Sequence, residues 1–357
     1  MNSKLKITLI IGIIVLVCGV AVHAAGYMSG GMKTLMFLPD GPRAVNTDGS
    51  GRIEKVDQTF EGVSVISLDV ESLGSVTIKE GPALSVKGQV PLDLGGLKAE
   101  LGPDGTLTVG HSAKMEGSFI INLPDIFGAR KLHHSFVEIT VPGGVSLSAI
   151  TCDVAFGDVS VGGVSAGAII VESESGHVEV DGLACGSFNA HSSYGDVDVS
   201  NVGAQEAAVY SESGSVAITG LAAPGGLIVD SSYGDVRLDE VDAGASKVNM
   251  NSGDFTADTV SIAGGLDIRS DYGNVEIDGA ISGDSSVTSM SGDVHLLLSG
   301  MEDEYFTSVK SDAGETFIGG RQFGGSIGGY TEKGAQTAPN RIEINSNYGD
   351  VRVDFRG

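Results

Sequence analysis

The residues best suited to chemistry recur at a fixed spacing. A carboxylate follows a glycine at Asp158, Asp196, Asp235, Asp254 and Asp293, and again at Asp350. Carboxylates repeated in this way suit a hard cation such as calcium. The column is interrupted by His177, Ser215, Asn274 and Glu315, and the GGxGxD nonapeptide of calcium-binding β-rolls is missing. Gly followed by Asp or Asn is also turn chemistry: Gly reaches positive φ, and the short polar side chain bonds to nearby backbone. Calcium at Asp158, Asp196, Asp235, Asp254 and Asp293 therefore stays the weaker alternative, and neither a metal nor a cofactor is assigned. Immediately before the glycine stand Tyr194, Tyr233, Tyr272 and Tyr348. This aromatic stripe either shields a turn or stacks on sugars or a partner, which makes it the candidate binding stripe. Three residues before the glycine stands a serine, at Ser173, Ser192, Ser211, Ser231, Ser270, Ser289, Ser311 and Ser346. A serine nucleophile needs a positioned base, and no His–Asp pair accompanies each one. His133 and His134 are adjacent, so in a strand they face opposite ways. HExxH and P-loop patterns are absent. No catalytic residue is assigned, and the chain is read as not an enzyme.

These side chains belong to one repeat. The motif runs FGDVSV, SGHVEV, YGDVDV, SGSVAI, YGDVRL, SGDFTA, YGNVEI and SGDVHL, then a weak AGETFI and a last YGDVRV. Its glycines are Gly157, Gly176, Gly195, Gly214, Gly234, Gly253, Gly273, Gly292, Gly314 and Gly349, with successive differences of 19, 19, 19, 20, 19, 20, 19, 22 and 35. Apolar residues alternate with polar ones on both sides of each glycine, the signature of strands. One such unit cannot bury its apolar face alone, whereas stacked parallel units form a continuous core. The expected fold is an all-β parallel β-solenoid of about ten 19–20-residue coils, spaced about 4.8 Å apart. The residue before the glycine alternates Tyr and Ser, so the true repeat is a double coil. Tyr194, Tyr233 and Tyr272 then lie about 9.6 Å apart. The column serines face the core, where their hydroxyls can satisfy one another or the turn backbone. The last gap, holding GGRQFGGSIGGYTEKGAQTAPN, reads as a flexible Gly-rich loop.

Composition narrows the function. Of 357 residues 54 are Gly and none is Trp, and 41 % are hydrophobic, which together favour turns between short strands over disorder. A net charge of -25 excludes a nucleic-acid binder, which needs Lys and Arg against phosphate. Lys4 and Lys6 precede the apolar run Ile7 to Val22, and residues 1–26 read as one transmembrane helix, a signal anchor with its N-terminus inside. The alternative is secretion after cleavage near Ala24. Residues 27–52 read as a linker, 53–145 as an irregular N-terminal β cap and 146–357 as the solenoid. Gly74 with SVTI is a first, degenerate copy of the motif. Cys152 and Cys185 read as small core residues rather than a disulfide framework. Val351 and Val353 end near an open edge through which the chain could self-associate, with Asp354 and Arg356 guarding it.

The order VSVISLDVESLGSVTIKE, GTLTV, ITVPGG and then repeated S-x-S/Y-G-D-V-x-V resembles the bacterial "putative adhesin" family, a domain of unknown function made of β-strand repeats. The resemblance covers roughly 53–357. It implies a membrane-anchored solenoid facing outward from the cell, with no catalytic residues to transfer. Some relatives are linked to envelope stress, which implies a sensor or regulator of a neighbouring membrane protein as the alternative function. The reading that follows is an extracytoplasmic, adhesin-like scaffold at the cell membrane. Its partners would be the membrane, through the N-terminal helix, and an envelope protein or glycan. A polysaccharide-active enzyme ranks last, because the short uniform connections build no cleft.

Overall fold

The computed structural model describes residues 34–38, 41–45, 53–70, 74–91, 96–111, 119–121, 135–323 and 329–357. The anchor expected at 1–26 and the His133–His134 pair lie outside the described residues. Among the described residues no helix is long and apolar enough to cross a membrane. The chain divides into two units: 1–56, 88–98 and 111–136 form one, and 57–87, 99–110 and 137–357 the other.

In the first unit, Thr34–Leu38 lies between Gly41–Val45 and Phe119–Ile121 in a small antiparallel sheet. Two strands thus fall inside the stretch expected as a linker. Their signal was weak: five-residue runs without clear alternation, whose third strand is some seventy positions away.

The second unit is a parallel stack. Ser146–Gly162 pairs in parallel with Ser165–Ser175, which pairs with Ala184–Tyr194, then Gly203–Ser213, Gly226–Tyr233, Ser246–Ser252, Leu266–Tyr272 and Asp284–Ser291. Beyond the glycine a second arm stacks in step, so that Val159, Val178, Val197, Val216, Val236, Phe255, Val275 and Val294 are successive neighbours. All eight are buried, as are Val161, Val180, Val199, Ile218, Leu238, Ile277 and Leu296 two residues on. Each such side chain withdrawn from water contributes about 1.5–3 kcal/mol, so a coil carrying several of them outweighs its turns. The expected columns are therefore the core, and most of the outward residues between them are polar.

One position permits this stacking. Gly195 has φ +148, and a Cβ there would stand 2.0 Å from the Gly176 carbonyl oxygen. Every glycine of the column, from Gly157 to Gly349, repeats this geometry against the coil beneath it. A side chain would be excluded twice, by backbone conformation and by the approach of the neighbouring coil.

The ends depart from chain order. Val65–Val70 and Gly74–Gly81 pair in parallel with the two halves of Ser146–Gly162, with Gly74 opposite Gly157. The solenoid therefore begins before residue 146, and the segment between the two coils is an insertion. Thr106–Gly110, from that insertion, adds in parallel outside Val65–Val70. At the other end Asp284–Ser291 does not pair with the next strand of the same arm in chain order, Tyr305–Ala313. It pairs with Asn340–Tyr348, and Tyr305–Ala313 lies beyond that. The second arm agrees: Val351–Arg356 lies between Val294–Ser299 and Thr316–Ile318.

This corrects the expectation of an open edge at Val351 and Val353, which are both buried in the stack. Arg356 pairs with Asp278 rather than guarding an edge. The Gly-rich excursion is not all loop. Arg321–Gln322 and Gly329–Lys333 add antiparallel to Thr316–Ile318 and Tyr305–Ala313. Strands that reverse direction occupy the edge groups that another parallel coil would need.

The stacking order is testable by cross-linking. Thr288→Cys combined with Asn345→Cys places thiols on adjacent strands and should oxidise to a disulfide. Thr288→Cys with Lys310→Cys should not, because two coils separate those positions by about 9.6 Å. A bond in the second pair and none in the first, read by peptide mapping, would mean that the coils stack in chain order.

Candidate functional site

The corner at each glycine gathers every column that carried candidate chemistry. On its inner side lies the serine column, all eight members buried. Ser192, Ser211, Ser231 and Ser289 donate their hydroxyls to the carbonyls of Gly195, Gly214, Gly234 and Gly292, at 3.2, 3.0, 3.4 and 3.4 Å. The turn backbone, not a neighbouring serine, is their partner. The Ser173, Ser270, Ser311 and Ser346 hydroxyls are buried with no hydrogen-bond partner. Serine here is a corner residue held inside.

The acidic column does a single job in coil after coil. Oδ1 of Asp158 accepts the backbone N–H of His177 at 3.1 Å, one coil on. Asp196, Asp235 and Asp254 likewise accept the N–H of Ser215, Asp254 and Asn274 at 2.8, 2.9 and 2.8 Å. Asn274 substitutes through its amide oxygen, accepting the Asp293 N–H at 2.9 Å. Asp293 then accepts from Asp350, and Asp350 from Glu315, both at 2.8 Å. The ladder thus follows the spatial order of the coils, not the chain. Asp and Asn serve equally because only one acceptor oxygen is needed. Among the described residues no group of three or more His, Cys, Asp or Glu side chains is gathered to hold a metal ion.

The tyrosines project outward. Tyr194, Tyr233, Tyr272 and Tyr348 are 65, 65, 61 and 66 % exposed, well beyond the half-buried position of an aromatic that shields a turn. In the stack Tyr194 neighbours Ser175 and Ser213, Tyr233 neighbours Ser213 and Ser252, and Tyr272 neighbours Ser252 and Ser291. The next member of the column in chain order, Ala313, would break the alternation. The coil inserted from the C-terminus instead carries Tyr348 to the place beyond Ser291, where its carbonyl accepts the Gly292 N–H at 2.9 Å. The four rings form one series at two-coil intervals.

Beside the stripe, on the arm that enters the corner, lies an open depression of about 260 Å³ lined by His191, Tyr210, Glu212, Asp230, Asn249 and Asn251 among others. Ser232, the residue before Tyr233, also lines it. The His191 and Tyr210 rings meet edge to face at 6.4 Å, and the Asn249 amide donates to Asp230. Sequence reading passed over this patch. Its only signal was the column four residues before the glycine, where polar and aromatic residues follow one another in consecutive coils.

Asp153 sits between Asp69 and Glu172 on adjacent strands. Partial removal from water, and then the charges of Asp69, Glu172 and Glu174, raise its carboxyl above the usual aspartate range. Cys152 is buried and its thiol is pushed up to about 12, while the half-buried Cys185 rises to about 11; both are free. Cys152 is the small core residue expected, whereas Cys185 is only partly covered.

Two outcomes follow for variants. Asp235→Asn should leave stability nearly unchanged, whereas Asp235→Ala should cost about 1 kcal/mol in urea unfolding, since it removes the acceptor for Asp254 N–H. Asp153→Asn should raise the unfolding midpoint at pH 7. The raised carboxyl means that ionisation is more costly in the folded chain, so this gain should shrink as pH falls through the folded-state value and Asp153 takes up its proton.

Among solved structures, a "putative adhesin" from Bacteroides fragilis NCTC 9343 is 19 % identical, with 64 % of this chain and 98 % of that one covered at a TM-score of 0.43. A "putative adhesin" from Parabacteroides distasonis ATCC 8503 is 16 % identical, with coverages of 64 % and 98 % and a TM-score of 0.38. A "putative cell adhesion protein" from Clostridium sporogenes ATCC 15579 is 12 % identical over 85 % of this chain and 100 % of that one, at a TM-score of 0.21. No curated protein matches the chain. The family model described as Toastrack DUF4097 matches residues 63–232 and 225–354, two passes that together take in nearly the whole stack. The chain belongs to the Toastrack DUF4097 family.

Proposed function

We propose that the chain is a non-enzymatic, adhesin-like binding scaffold. In this reading the apolar segment 7–22 holds it at the outer face of the cell membrane, and the solenoid presents its tyrosine stripe to the surroundings. The observation that carries the reading is the stripe: four rings, each more than 60 % exposed, at regular intervals along one corner. Exposed aromatics are costly to leave in water and are favoured where a partner will cover them. The rest of the corner supports a scaffold rather than a catalyst. Its carboxylates accept backbone N–H groups between coils, and its serines point inward. Neither arrangement sets a nucleophile beside a base with room for a substrate.

The repeat supplies its own test substitution. Serine already occupies the stripe position at Ser175, Ser213, Ser252 and Ser291. The combined change Tyr194→Ser, Tyr233→Ser, Tyr272→Ser and Tyr348→Ser should therefore keep the unfolding midpoint within a few degrees, as is usual for exposed positions. Retention of the full chain on immobilised cell-envelope material should fall by about tenfold or more. Equal retention of the variant and the parent would remove the stripe as the binding face.

A further inference from the structure

We propose that the ligand of this stripe is a linear β-1,4-linked polysaccharide of neutral or amino sugars, lying along the stack with alternate rings seated on Tyr194, Tyr233, Tyr272 and Tyr348. The proposal rests on the binding-scaffold reading above and adds the chemical class of what is bound.

Three observations carry it. The first is the interval. Successive tyrosines stand two coils apart, about 9.6 Å. In an extended β-1,4-linked chain each sugar is turned over relative to the last, so one face recurs at every second ring, at very nearly that interval. The apolar C–H face of such a ring stacks on an aromatic side chain, while its hydroxyls point sideways. Four tyrosines then engage about seven sugars. A helical α-linked glucan turns its faces away from any straight line and cannot meet four rings in a row.

The second is what lies between and beside the rings. The intervening positions are Ser213, Ser252 and Ser291, whose small side chains leave space for the inverted sugar and offer it a hydroxyl. Along the adjoining arm, Glu212, Asp230, Asn249 and Asn251 line the open depression, a set of acceptors and amides that matches sugar hydroxyls.

The third is charge. The residues on both sides of the tyrosine column include exposed Glu174, Glu212, Asp196, Asp235, Asp254 and Asp350, with no Lys or Arg in either flanking column. Nearby Arg237 and Arg269 already face Asp239 and Asp267, at 3.8 and 3.5 Å. A polymer of uronic acids or phosphates would meet repulsion along its length, whereas free amines would be attracted.

The test uses the full chain in a non-glycosidic detergent, with binding read by calorimetry. Cellohexaose should bind, and its glucosamine counterpart should bind more tightly at low salt, with the difference lost at high salt. Maltohexaose, made of the same sugar in α-linkage, and β-1,4-linked mannuronate hexamer should bind at least about tenfold more weakly. The four-tyrosine serine variant should lose cellohexaose binding by about tenfold or more while keeping its unfolding midpoint. Equal binding of malto- and cellohexaose, stronger binding of the mannuronate, or cellohexaose binding indifferent to the tyrosines would each overturn the assignment. If none of the hexamers binds while envelope retention still depends on the tyrosines, the polysaccharide assignment fails and the scaffold reading stands. If neither depends on them, both fail.

Discussion

The approach of one coil to the next at the glycine corner is the constraint on which the rest depends. Each column glycine brings its α-carbon so close to the carbonyl below that a Cβ would lie 1.9–2.2 Å from that oxygen, far inside van der Waals contact. Only that closeness lets the following Asp reach the N–H of the next coil, and only a fixed coil-to-coil offset lets valine stack on valine from Val159 to Val294. The core supplies most of the stabilisation, but it is non-directional. The corner makes the register specific: a slip of one residue would turn each apolar column outward and unhook each Asp from its amide.

Much of this was legible because a solenoid writes its geometry into spacing. Column glycines 19 or 20 residues apart, with Val, Ile and Leu at fixed offsets, specify both the parallel stack and its inward face, and Gly74 marked the first coil. The order of the last coils was not legible from spacing, since a distance along the chain says how long an excursion is and not where the strand returns. A signal was nevertheless present. Ser291 is followed in the column, in chain order, by Ala313, which breaks the Tyr–Ser alternation, and Tyr348 restores it. Placing Tyr348 next to Ser291 is the one order that keeps the double-coil period, and it is the order found. The paired strands Thr34–Leu38 and Gly41–Val45 escaped notice for the opposite reason: they have no repeated copy to reveal them.

The candidate site sorted less evenly. Sequence reading located the tyrosines, the aspartates and the serines and read the last two as turn residues, but it left the tyrosines between shielding a turn and meeting a partner. Hydrogen bonding separates the first group from the other two, because the tyrosine rings lie open while an oxygen of each ladder aspartate and four of the serine hydroxyls are engaged with backbone at the corner. One repeat unit therefore divides labour across a single turn: an inner residue and a glycine that shape it, a carboxylate that ties it to the next coil, and a ring left free for contact. Because the free ring occurs in every second coil, the fold converts its own stacking distance into a ruler for whatever lies on it.

The central claim, that corner Asp and Asn side chains tie the coils carrying them to the next, is tested most directly by residue-resolved amide hydrogen exchange. Ser215, Asp254, Asn274 and Asp293 sit in exposed turns, where unbonded amides exchange rapidly. The account predicts that these N–H groups are protected nearly as well as the strands beside them, because each is held by Asp196, Asp235, Asp254 or Asn274 of the coil before. Exchange at unprotected rates at these four positions, with the strands still protected, would contradict it.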